Sequence, residues 1–263
     1  MSTQTLADLQ ARPVPSLGGL NPTLVRLELR RLLRNKRTVI FTLVMPVVFF
    51  LLFGLHAGYE QQKLGHGNVT AFVMVSMGIY GAMVATTSTG ASVSIERSLG
   101  WSRQLRLTPL NPVTYIAVKI LLALVMGGLA IIAVYTAGVV THQAHMPTHL
   151  WVETALIGWV GSLTFAAFGL CMGYLLPGEN VMQILGPGLA LLALLGGLWV
   201  PLDDGSTLQR IAQFTPMYGL SQLVHAPVTG AALHVAWLVN VAFWLALFTA
   251  GAVWRFRRDT ARV

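Results

Sequence analysis

The sequence predicts an all-α integral membrane protein: six transmembrane helices preceded by an amphipathic helix in the membrane interface. Three observations predict it. Of 263 residues, 55% are hydrophobic and 10% charged, with a mean hydropathy of +0.67. Soluble domains carry about 25% charged residues, so these ionic groups cannot cover a globular surface. Several apolar runs approach the ~20 residues that cross a bilayer, whereas the strands of a membrane barrel are short and alternating. The single cysteine, Cys171, lies within an apolar run, which excludes an internal disulfide and a thiolate metal cluster.

Residues 1–20 are polar, contain Pro13 and Pro15, and lack the apolar core of a cleaved signal peptide. They read as a disordered cytoplasmic tail ahead of a transmembrane domain at 21–256, with a second tail at 257–263. From 21 to 37 the pattern is helical. Arg26, Arg30, Arg34 and Arg37 share one face, and Val25, Leu29, Leu32 and Leu33 another, which suits a helix lying in the interface beside anionic lipid. Spans are expected at about 38–57, kinked at Pro46, and then at 69–95, 113–140, 151–176, 181–200 and 235–254.

Fourteen of the 17 Lys and Arg fall on one side of this arrangement: before the first span, in the loop after the second, and in the tail. The opposite side has Lys63 and Arg210, and Lys119 can snorkel back from the start of the third span. This bias places both termini in the cytoplasm. The net charge of +8 therefore reports topology and lipid headgroups, not nucleic acid.

The chain has no phosphate-binding loop and no metalloprotease or paired-cysteine motif. Gly90-Ala91-Ser92 resembles the serine motif of an intramembrane protease, but the base it needs is misplaced: His225 and His234 belong to the last outer loop, far from Ser92. His142, His145 and His149 have spacing that permits a metal, yet read as solvated loop histidines. Glu60, Glu96, Glu153, Glu179, Asp203 and Asp204 bracket the spans, so no acid is expected deep in the bilayer and a proton-coupled carrier is disfavoured.

Residues 96–110 are too polar to span. Arg97, Trp101 and Leu105 nevertheless line one helical face, Pro109 ends it, and Asn111-Pro112 starts the next helix. A short cytoplasmic helix joined directly to the second and third spans is expected. In the second span Ser76, Tyr80, Thr87 and Ser94 form a polar stripe, which reads as interhelical bonding or as a substrate path. Gly158, Ser162 and Ala166 read as a packing seam, Gly186-Pro187-Gly188 as a hinge or notch, and Trp199 and Tyr218 equally as substrate contacts or as interfacial aromatic anchors.

Glu96-Arg97, Gly100, Leu105, Thr108-Pro109-Leu110 and Lys119, in that order, resemble the loop of ABC-2 type transporter permeases, the membrane subunits of bacterial ABC exporters. Gly196-Gly197-Leu198-Trp199-Val200-Pro201-Leu202 followed by Gln213-Phe214-Thr215-Pro216-Met217-Tyr218 is similar to the family's re-entrant segment before the last span. Trp101 departs from the threonine many relatives place there.

The resemblance implies that Glu96, Arg97, Gly100, Trp101, Leu105, Arg106, Thr108 and Pro109 contact a separate ATPase subunit, which holds the ATP and Mg. This chain itself would bind no cofactor and catalyse nothing. It also implies a second copy or a sister permease, a bacterial cytoplasmic membrane, and export of an amphipathic drug, antibiotic or lipid-like compound. A lipid-linked glycan exporter, or an ATP-independent carrier or channel, are the alternatives.

Overall fold

The computed structural model describes residues 22–100, 112–178, 180–202 and 205–261, and they are almost wholly helical. Helix α1 (Pro22–Arg34) stops at Asn35, whose side chain accepts a hydrogen bond from the Thr38 N–H and so opens the next helix at a new angle. That helix, α2 (Lys36–Gly54), stays continuous through Pro46. The missing proline N–H is absorbed by π-helical turns at Ile40–Val44 and Phe50–Gly54, the Met45 N–H reaching back to Ile40 O. A two-residue hairpin, β1 (Lys63–Leu64) and β2 (Gly67–Asn68), leads into α3 (Val69–Ser98).

Then come α4 (Pro112–Thr141), α5 (Thr148–Gly161) and α6 (Leu163–Leu175). The last two are one helix jogged at Ser162. After them stand α7 (Val181–Leu195), α8 (Thr207–Ala212), α9 (Tyr218–Thr229) and α10 (Val235–Ala261).

Among the described residues, five helices are long and apolar enough to cross a membrane: α2, α3, α4, α5–α6 and α10. The expected fifth span, 181–200, is shorter than predicted. It ends at Leu195 because Gly196 and Gly197, the latter at φ +71°, terminate it, leaving 15 residues where about 20 are needed. Pro187 sits inside α7 without breaking it, and nothing lies within 4 Å of a side chain built at Gly186 or Gly188.

Helix α3 is the axis of the bundle. Its spanning window is 78% buried, against 11% for α10 at the periphery. Met74, Val75, Ile79, Ala82 and Met83 of α3 form the main core with Ile131, Val134 and Tyr135 of α4 and with Phe165 of α6. Trp199 and Tyr218 turn inward, unlike interfacial anchors. Trp199 packs edge-on against Tyr80 at 5.1 Å and Tyr218 is 7% exposed. Bulky rings find more contact area in the core than at its rim.

The bundle end near residues 63–68 is locked by polar contacts. Asn68, 3% exposed, caps α3 by accepting from Ala71 N–H and also accepts from His145 N–H. Its amide donates to Glu60 O and Gln143 O. Gly65 lies against the Thr229 backbone, where a Cβ would come within 2.2 Å of Thr229 O.

His225 of α9 belongs to this locked end, outside the five long helices. It bonds to Ser76 Oγ (2.9 Å) and Ser221 O (2.9 Å), and stacks on Phe72. Burial pushes its pKa down to about 4. Between pH 6.5 and about 4 the unfolded chain therefore takes up a proton that the folded one refuses, and stability falls as pH drops through that window. Thermal unfolding from pH 7 to 4 should show this fall in the wild type and a shallower one in His225→Gln; identical slopes would exclude His225 as its source.

Candidate functional site

Two features meet at the opposite end of the bundle, the end that carries α1 and both stems of the 101–111 segment. The first is a cavity of about 670 Å3 bounded by α1, α2, α3 and α7. Pockets that take drug-sized molecules run from about 300 to 1,000 Å3. Its mouth carries Glu28, Arg31, Asn35 and Arg37, and its floor Phe49 and Tyr80. One wall is a single face of α3, with Tyr80, Val84, Ser88 and Ser92 at intervals of four; the facing wall has Phe41, Met45, Leu185 and Leu189.

Three hydroxyls on these walls donate to their own helices: Thr42 to Thr38 O, Ser88 to Ala85 O and Ser92 to Thr89 O. Toward the cavity they present lone pairs within an otherwise apolar surface.

The second feature is a buried ion cluster beside the mouth. Lys119, which the sequence places at the interface as a snorkelling cation, lies inside α4 with its side chain 4% exposed. Its ammonium is 2.6 Å from Glu96 Oε1 and 3.1 Å from Glu28 Oε2. Tyr115 donates its hydroxyl to Glu96, and Arg31 lies 3.6 Å from Glu28 and 3.7 Å from Glu96. Glu96 stands at the end of α3, where the sequence places it, but its carboxylate is packed inside the chain. Two carboxylates and two cations balance one another, and a buried ion is tolerable when paired and hydrogen-bonded.

The residues expected to contact a partner divide at the end of α3. Glu96 points into the chain, its carboxylate shared by Tyr115 and Lys119. Arg97 turns back along the bundle, donating to Tyr174 O at 3.1 Å with its guanidinium over the Tyr174 ring. Gly100, at φ +74°, closes the helix terminus with open space around it. Trp101, Leu105, Arg106, Thr108 and Pro109, and with them the expected short helix, lie outside the described residues.

The polar stripe of α3 also divides. Ser76 bonds His225, Ser94 donates to Leu176 O, and Thr87 donates to Phe165 O. Of the four, Tyr80 and Thr87 border the cavity. Ser88 and Ser92, absent from the expected stripe, face it too. The signal was present, since they extend the Tyr80–Val84 repeat by two turns. Ser92 is far from His225, which is engaged at the other end of α3, so no serine–histidine pair forms there. Among the described residues no three His, Cys, Asp or Glu converge as a metal site.

Comparison with known proteins gives two matches. A family model described as ABC-2 type transporter matches residues 21–227. A protein of Bacillus subtilis (strain 168) named "Putative transport permease YvfS" is 29% identical over 195 residues, covering 73% of this chain and 78% of that protein.

Proposed function

Because this chain belongs to the ABC-2 type transporter family, we propose that it is the membrane permease subunit of an ATP-binding-cassette exporter and moves a hydrophobic or amphipathic compound across the cytoplasmic membrane. A separate ATPase subunit, holding ATP and Mg, docks on the loop between α3 and α4. Trp101 and Leu105 are its apolar anchors and Arg106, Thr108 and Pro109 their flank. The single observation that carries this reading is that one helix, α3, runs from the stem of that loop along the wall of the cavity. A push on the loop thus acts on the element that shapes the binding space.

The basic end bearing α1 faces the cytoplasm, in keeping with the Lys and Arg bias, and the far-end helices α8 and α9 form a re-entrant segment. The short α7, with its uncovered Gly186 and Gly188, leaves that side of the cavity for a second copy or a sister permease. The cargo is apolar in bulk, since Phe41, Met45, Phe49, Leu185 and Leu189 dominate the lining, and carries hydrogen-bond donors for the Ser88 and Ser92 lone pairs.

The test is co-purification with the candidate ATPase subunit from membranes, with ATP hydrolysis measured on the complex. Trp101→Ala with Leu105→Ala should cost about 2–4 kcal/mol of docking energy, as loss of central apolar anchors does, and so at least a tenfold loss of complex. Membrane insertion of the variant is checked in parallel. Failure of any ATPase to join the wild type, or an unweakened complex in the variant, would overturn the reading.

A further inference from the structure

The buried cation Lys119 is used by neither the docking loop nor the cavity wall. We infer that it is a positioning residue that makes the cavity mouth follow the docking loop. The inference rests on the permease reading above.

The connectivity carries the argument. Glu96 stands on the last turns of α3, before the loop, and Tyr115 and Lys119 on the first turns of α4, after it. Their bonds across the loop therefore clamp its two stems together. Lys119 then reaches a third element through Glu28 of α1, 3.1 Å away. Helix α1 supplies Glu28, Arg31 and Leu32 to the cavity mouth. Loop stems and mouth thus share one buried ammonium.

Separating that ammonium from either carboxylate would strand a charge in a poorly hydrated site, so the three elements move as one body. Arg31 also links α1 to Glu96, but its side chain is 56% exposed and 3.7 Å away, too solvated to hold the helix by itself.

The experiment replaces Lys119→Met together with Glu28→Gln. Charge balance is kept, and Glu96 retains Tyr115 and Arg31. Lys119→Arg is the conservative control, and Glu28→Gln alone is a milder variant that cuts only the α1 arm. All carry Arg37→Cys at the cavity mouth in a Cys171→Ala background, which removes the one native thiol. The rate at which a soluble maleimide labels residue 37 is read without nucleotide and after trapping with ATP and vanadate, alongside complex formation and hydrolysis.

In the wild type and in Lys119→Arg, trapping should change the labelling rate about fivefold or more, within the range of ordinary coupling between sites. In the double variant the change should vanish, and in Glu28→Gln it should shrink, while the ATPase stays bound and active. A full labelling change in the double variant overturns the inference. So does loss of bound ATPase in that variant, because Lys119 would then serve docking and not the mouth.

If no ATPase joins even the wild type, the permease reading falls, and the clamp is read separately from spin labels at Arg26→Cys and Leu99→Cys. A narrow distance distribution in the wild type that broadens in the double variant supports the clamp. Equal widths overturn it.

Discussion

Gly169→Val should abolish the native bundle, leaving aggregated or proteolysed chain in place of a monodisperse detergent-solubilised peak. A Cβ at Gly169 would stand 2.2 Å from Thr87 O and 2.8 Å from Thr87 Cα. One turn on, a Cβ at Gly173 would stand 3.1 Å from Ala91 O, and from the facing helix a Cβ at Gly90 would stand 2.7 Å from Ala166 O. These neighbours are main chain and cannot rotate aside, so α3 and α6 must part along their whole crossing. Overpacking costs about 1–3 kcal/mol where side chains can yield, and more where the backbone must move.

The parting helices would also forfeit the Thr87–Phe165 O and Ser94–Leu176 O bonds, which span the same seam. The control is Gly186→Ala. It too is a glycine inside a helix, yet a Cβ there meets nothing within 4 Å, so the unfolding temperature should hold or rise. Comparable losses in both variants would mean that the glycine effect is local helix propensity and not the crossing.

That seam shows how much the sequence could carry. Gly158, Ser162 and Ala166 stand out by their spacing, and all three are buried. The closest approach lies one turn further, at Gly169 and Gly173, and no pattern within a single helix says which small residue meets the partner's backbone. The helices α3 and α4 match the expected 69–95 and 113–140 to within three residues because apolar length sets them, and α10 begins at the expected Val235 but runs on past 254 to Ala261. The end of α7 was not, because a window of average hydropathy runs straight through Gly196 and Gly197.

Of the stripe, Tyr80 and Thr87 line the cavity and Ser76 and Ser94 do not. Ser76, Thr87 and Ser94 are equally polar but spend their hydroxyls on His225, Phe165 O and Leu176 O, partners distant in sequence. The ion cluster was hidden for the same reason. Glu28, Glu96 and Lys119 lie on three elements: Glu96 and Lys119 each read as a charge near a helix end, and Glu28 as one charge within the interfacial helix.

The second large effect is expected at that cluster and takes the form of a cycle. Lys119→Met alone leaves Glu96 and Glu28 facing each other with only the partly exposed Arg31 between them. Removing one partner of a buried ion pair typically costs about 3–5 kcal/mol, because the survivor is left uncompensated. Glu96→Gln alone leaves the Lys119 ammonium to Glu28, and should cost less.

The double variant Lys119→Met with Glu96→Gln removes both charges and keeps both volumes, and replacement of a whole buried pair is often near neutral. Its unfolding temperature should therefore lie above that of Lys119→Met. The two residues contact each other, so their effects should fail to add by roughly 0.5–3 kcal/mol. Additive losses would mean that the 2.6 Å contact carries no net interaction.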